Sequence, residues 1–267
     1  MATESALEQT RAENEFLEEN LDPNRWKALF VIAISQLMLV LDADAARSIV
    51  ATALMVFVFR ALPGPGAGVN WWTIDVLGFD QQFLATLSLI SSGLTLIGMF
   101  VFRRFMAEHS MARIIVVLTL IGTFLSLPTL SMFHGLHHWT AAHTGGVVDA
   151  RFIALIDVAL ESPLGQVAMI PMLAWIAASA PAHLKATYFA VMASFTNLAL
   201  SAAQLGTKYL NQIYHVSREV KDRSTGVITQ SADYSQLGDL LLVSILIGLA
   251  LPLCCVLLLR LLRLRTA

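Results

Sequence analysis

The sequence predicts an all-α polytopic membrane protein, a bundle of six transmembrane helices, on three observations. Of its 267 residues 57% are hydrophobic and only 13% charged, where a soluble domain carries about 25% charged residues. Apolar stretches close to the roughly 20 residues that a spanning helix needs recur along the chain. Basic residues collect in alternate connections between those stretches, the pattern of the positive-inside rule.

The elements follow in order. Residues 1 to 24 are rich in Glu and Asn and without the basic, short-apolar pattern of a cleaved signal peptide; they are expected as a disordered or loosely helical tail. Residues 25 to 44 hold a short apolar helix, "ALFVIAISQLMLVL", followed by Asp42, Asp44 and Arg47. It either runs on as one helix to Leu62 or lies at the membrane face and bends. The six-span unit covers 45 to 262. Its first span lies within 45 to 62 and stops at Pro63; the others are expected over 83 to 102, 111 to 133, 152 to 179, 186 to 210 and 237 to 260.

Arg103, Arg104 and Arg113, then Lys185, then Arg260, Arg263 and Arg265 mark the inner connections, which places both termini in the cytoplasm of a bacterial inner membrane or other plasma membrane. Trp71, Trp72 and Trp139 then fall at the outer interface, where aromatic belts sit. The third and sixth spans are almost free of strong polar groups and are expected to face lipid. Asp239 stands in the first turn of the sixth, where the helix dipole favours an acid.

The fourth span, "RFIALIDVALESPLGQVAMIPMLAWIAASAP", holds the chemistry. An ionised side chain at a helix centre costs about 2.5 to 3.5 kcal/mol on insertion scales, so intramembrane acids call for a function or a partner. Asp157 and Glu161 are four residues apart and share a face, with Glu161 one turn deeper. Pro163 just beyond removes a backbone donor and can kink the helix. Arg60 at the end of the first span and Lys208 near the end of the fifth lie at a similar level, so an Arg60 pair with either acid is expected as one arrangement and an interfacial arginine as the other. Gln166 and Asn197 add polar groups, either to a site or as helix-to-helix glue.

Several classes recede. A net charge of -2 leaves no basic footprint for nucleic acid. Adjacent Cys254 and Cys255 form neither a disulfide framework nor a spaced metal motif, and no cofactor is called for. "HGLHH", with His134, His137 and His138, matches the H-x-x-H-H box of membrane desaturases, but no second box accompanies it; the reading is therefore not an enzyme.

Six spans with the third and sixth peripheral resemble one half of a major facilitator transporter, in which two such halves enclose a midplane site. The segment from Trp71 and Trp72 to Leu77, Gly78 and Phe79, the run Gln166 to Pro171, and Ala186, Thr187, Phe189, Ala190, Ser194 and Asn197 resemble the carboxy-terminal half of the folate-biopterin transporter family over roughly residues 45 to 260. Lys185 stands where that family more often has an acid. "RWKALFVIAISQLMLVLDA" resembles instead the first span of multidrug/proton antiporters of the same superfamily, without the Thr-Ile-Val-Asn continuation after Ala43, so the chain reads as joined near residue 43. The resemblance implies a folate or pterin substrate, a lipid bilayer, and a homodimer or a separate second half as partner. Glu161, Asp157, Arg60, Gln166 and Asn197 are then the expected substrate or proton residues. A non-transporting truncated or fused membrane protein is the alternative.

Overall fold

A computed structural model describes residues 43 to 165, 167, 169 to 171, 173 to 174, 185 to 221 and 227 to 262. The chain divides into two units, Met1–Ala46 and Arg47–Ala267. The tail over 1 to 24 and all but the last two residues of the expected 25 to 44 helix lie outside the described residues.

The described residues are nearly all helical: α1 (Ala43–Arg60), α2 (Gly68–Asp75), α3 (Gln81–Val101), α4 (Arg103–Glu108), α5 (Met111–Leu125), α6 (Leu127–Phe133), α7 (Leu136–His143), α8 (Ala150–Glu161), a 3-10 turn (Ser162–Leu164), α9 (Lys185–Ile213) and α10 (Leu237–Leu261). A small antiparallel pair, β1 (Val220–Lys221) and β2 (Ile228–Gln230), lies between α9 and α10. This is an all-α polytopic membrane protein. Among the described residues four segments are long and apolar enough to cross a bilayer: Gln81–Val101, Met111–Phe133, Ala150–Pro171 and Leu237–Leu261. The first and fifth expected spans are also helices, α1 and α9. α1 carries Asp44, Arg47 and Arg60, and α9 is diluted by threonine, asparagine, glutamine and lysine.

Local sequence sets the helix starts. Gly78 takes a left-handed φ of 69°, a conformation that suits a residue without a Cβ. Asp80 then caps α3 by accepting from the Phe83 amide at 2.7 Å, and Asp149 caps α8 by accepting from the Phe152 amide at 2.8 Å. Asp239 stands in the first turn of α10 as expected.

One end of the bundle is closed by a cap. Trp72, Met132, Leu210, Leu237, Leu240 and Leu241 form a buried cluster, with Val69, Phe133, Tyr214 and Val216 packed around it. These side chains come from α2, the end of α6, the end of α9 and the start of α10. The Gly64 amide donates to Thr207 Oγ1 at 2.9 Å, which brings the segment after α1 to the same end of α9. Arg151 at the start of α8 meets Asp80 and the Gly78 carbonyl, both at 3.3 Å, beside the start of α3. The ends of α1, α6 and α9 and the starts of α3, α8 and α10 therefore lie at the cap. The same contacts make α8 parallel to α3: Arg151 lies by Asp80, and Ser162, eleven residues on, lies by Ser91.

Packing corrects one expectation. Trp72 does not sit in a lipid-facing belt; it is 4% exposed, with its ring 5.7 Å from that of Phe133. Trp139 is 60% exposed. Of the four apolar segments, the two least polar, expected to face lipid, bury the largest share of their residues, 28% and 33%, and leave the greater part open. Ile114 and Ile115 of α5 and Leu237, Leu240 and Pro252 of α10 are sealed, and α5 packs on α10. α3, with its serines, buries only Leu87 and Gly98.

Outside the membrane-crossing helices a polar clasp holds the hairpin to α2. Arg218 grips Asp75 with two nitrogens, Nε to Oδ2 at 3.0 Å and a terminal nitrogen to Oδ1 at 2.8 Å, and Tyr234 donates its hydroxyl to Oδ2 at 2.6 Å. The Arg218 and Tyr234 hydrogen bonds hold the Asp75 carboxyl below the usual carboxylate range. Burial first, then the bond to Asp75, pushes the Tyr234 hydroxyl up to about 12, so it stays a donor at neutral pH. Because the folded carboxyl is depressed, the clasp contributes fully above the ordinary carboxylate value of about 3.9 and is lost as pH falls through the lower folded value. Asp75→Asn should speed amide exchange over residues 217 to 221 and 228 to 234 while leaving α5 and α10 unchanged. Unaltered exchange in the hairpin would mean that the backbone pairing of Ser217 with Asp233 suffices without the clasp.

Candidate functional site

The site is built on the last turn of α8 and the break that follows it. α8 ends at Glu161 because Pro163 has no amide proton to continue the ladder. The chain tightens into the Ser162–Leu164 turn, closed by the Gly165 amide donating to the Ser162 carbonyl at 3.1 Å. Ser162 is 8% exposed, whereas Glu161, one residue earlier, is exposed. A carboxylate thus projects from a helix end whose next residue is sealed.

α3 supplies the surface against which the break is seated. Ser91, Thr95 and Gly98 fall at i, i+4 and i+7, on one helix face. Ser162 Oγ donates to Ser91 Oγ at 2.8 Å, and Thr95 Oγ1 donates to the Ser162 carbonyl at 2.9 Å. At Gly98 the two backbones approach so closely that a Cβ would run into the carbonyl of Pro163. Small residues at helix interfaces permit such an approach.

Asp157, one turn before Glu161, is half-buried. Its Oδ1 is shut off from solvent without a hydrogen-bond partner, and the Thr129 hydroxyl of α6 lies against the same carboxyl group. The expected partnership with arginine does not form. Among the described residues no ion pair joins Arg60 to Asp157 or Glu161, and Arg60 Nε is itself buried and unpartnered. Both acids lie beyond the opening of α8, whereas Arg60 ends α1 at the cap, where the Pro63 segment is tied to Gly206 and Thr207 of α9. Arg151 takes the other route open to a cap arginine, pairing with Asp80 and lying over the Phe83 ring, 5.3 Å from its centroid.

Asn197 and Lys208 are exposed on α9; the Asn197 carbonyl accepts from Ser201 Oγ at 3.1 Å. Gln166 lies outside the described residues. The structure therefore brings Asp157 and Glu161 together on one helix and does not join Arg60 or Asn197 to them. Ser162, Thr95 and Thr129 were not singled out from the sequence. A serine directly before the only proline in this part of the helix was the available signal for the first.

His137, His138 and His143 lie on the short helix α7, and His134 stands just before it. The His137 and His138 rings lie tilted against each other with centroids 3.9 Å apart, and burial, then the neighbouring His138, pushes His137 below the ordinary histidine value. Among the described residues no three His, Cys, Asp or Glu side chains converge as a metal would require.

Comparison with known proteins gives a family match over residues 15 to 265, nearly the whole chain. The chain belongs to the BT1 family. The match takes in residues 25 to 43 as well as residues 45 to 262. This BT1-family chain is also 30% identical over 165 residues to a folate-biopterin transporter of Synechocystis, across 62% of its own length and 32% of that protein's. It thus spans about a third of the length of that relative in the aligned region. No solved structure matches it.

Proposed function

We propose that the protein moves folate- or pterin-type molecules across a membrane, as the equivalent of one six-helix half of a major facilitator transporter. The observation that carries this is the carboxylate of Glu161, exposed at a helix break inside a membrane-crossing segment and without an ion pair among the described residues. The name of the Synechocystis relative supplies the substrate class.

The chemistry fits that class. A carboxylate accepts two hydrogen bonds from the amino-pyrimidinone edge of a pterin, and such charge-assisted bonds are about twice as strong as neutral ones. In this reading Arg60 takes a folate carboxylate, bidentately as an arginine can, and Gln166 and Asn197 add polar contacts. A Glu161 that binds a proton on the outer side and releases it inside couples uptake to the proton gradient, as a symporter does. Asp157 assists from one turn away. Binding, orientation and release of a substrate need no covalent step, so the protein is not an enzyme.

Alternating access rocks two halves about a shared site. A second copy of the chain or a separately encoded half supplies the other wall. Both termini lie in the cytoplasm, in a bacterial inner membrane or other plasma membrane, with the cap outside.

Purified protein in liposomes should accumulate radiolabelled folic acid or biopterin, and faster with an inward proton gradient. Neither uptake nor binding by correctly folded protein would remove the transport reading in favour of a non-transporting membrane protein.

A further inference from the structure

We infer that Ser91, Thr95 and Gly98 of α3 form the seat that positions Glu161, so that helix α3 sets the place of the carboxylate borne by α8. The inference rests on the reading of Glu161 as a substrate or proton residue. It goes beyond that reading by assigning a positioning role to residues that do not touch the substrate.

The argument is geometric. Glu161 follows α8 to its last residue, and beyond it the helix ladder is interrupted. An exposed side chain at a broken helix end would ordinarily wander, because the turn that should hold it has lost a hydrogen bond. Here three contacts fall on the two residues that come directly after it. The Ser162 hydroxyl is bound to Ser91, the Ser162 carbonyl to Thr95, and the Pro163 backbone rests against Gly98. Consecutive Cα atoms are about 3.8 Å apart, so fixing Ser162 fixes the root of Glu161 while leaving its carboxylate open. The Thr95 bond adds a second donor to the Ser162 carbonyl, which already accepts from the Gly165 amide, and so ties the turn itself to α3. At the opposite end of α8, Arg151 is tied to Asp80 and Phe83 of the same helix α3. α8 is therefore referenced to α3 at both ends, and a shift of α3 carries Glu161 with it.

The test compares uptake of radiolabelled folic acid by Thr95→Val, Thr95→Ser, Ser91→Ala and Glu161→Gln proteins in liposomes, with detergent melting as the measure of folding. Thr95→Val keeps the shape but removes the hydroxyl. It should raise KM about three- to tenfold, the size of one hydrogen bond, with maximal rate and melting temperature near those of the parent. Thr95→Ser, which restores the hydroxyl, should return KM to the parent value. Ser91→Ala should act in the same direction and serves if Thr95→Val does not fold. Loss of uptake in Glu161→Gln together with an unchanged KM in both Thr95→Val and Ser91→Ala overturns the seat and leaves the reading of Glu161 standing. A loss of melting temperature and maximal rate at constant KM also overturns it, since that marks a purely structural contact. Undiminished uptake in Glu161→Gln removes the reading of Glu161 itself.

Discussion

Glu161→Gln should lower uptake of radiolabelled folic acid about ten- to a hundredfold and abolish its dependence on a proton gradient. Glutamine keeps the size and the polarity of the side chain but neither the charge nor the exchangeable proton. Hydrogen bonds to charged groups contribute about 1.5 to 3 kcal/mol, against about 1 kcal/mol for neutral ones, and each 1.4 kcal/mol is a factor of ten. Folding should be unaffected, since Glu161 is exposed and forms no ion pair among the described residues. His137→Ala, on the cap helix α7, is the matched control and should retain most of the parent uptake. Equal losses in the two variants would take the site away from α8. Asp157→Asn should fall between them, because Oδ1 is enclosed and only part of the carboxyl group can meet a substrate.

The second large effect is on stability. Trp72→Ala should destabilise the protein by about 3 to 5 kcal/mol, the range for emptying a buried aromatic site. Trp72 is 4% exposed and joins side chains from α6, α9 and α10, so its loss opens the point where the ends of several crossings meet. Trp139→Ala, at 60% exposure, should change stability by no more than about 0.5 kcal/mol. Thermal melting of the two variants in detergent checks this directly. Similar shifts would mean that the cap tryptophans act through detergent or lipid rather than through a protein core.

The crossings were readable because lipid imposes so strict a rule. Every backbone group in hydrocarbon must be paired within its own segment, so an apolar run of the right length can only be a helix, and the expected spans at 83 to 102, 111 to 133 and 237 to 260 coincide closely with Gln81–Val101, Met111–Phe133 and Leu237–Leu261. The acids were readable for the same reason: Asp157 and Glu161 stand out against an apolar background, and their spacing of four places them on one face without further information. What could not be read was contact between helices. Arg60 and the carboxylates looked like partners because the ends of spans are legible in sequence and the side chains that meet between them are not.

Trp72 and the clasp make the same point from the other side. Asp75, Arg218 and Tyr234 are separated by more than 140 residues in one case and by a hairpin in the other, with no periodic signal to link them, and only the fold sets them within 3.0 Å of each other. A tryptophan near a span end satisfies an interfacial belt and a buried cap equally well from sequence; the neighbours decide.

By itself, then, the sequence determined the helical class, the membrane solvent, the limits of most crossings and the identity of the two intramembrane acids, because each is dictated by composition and period along a single segment. Only the tertiary structure decided which helix faces meet. It sealed the apolar α5 and α10 against each other, left the carboxylate of Glu161 open and seated the break beside it on α3, because packing between segments depends on shape and hydrogen-bond partners that are distant in the chain.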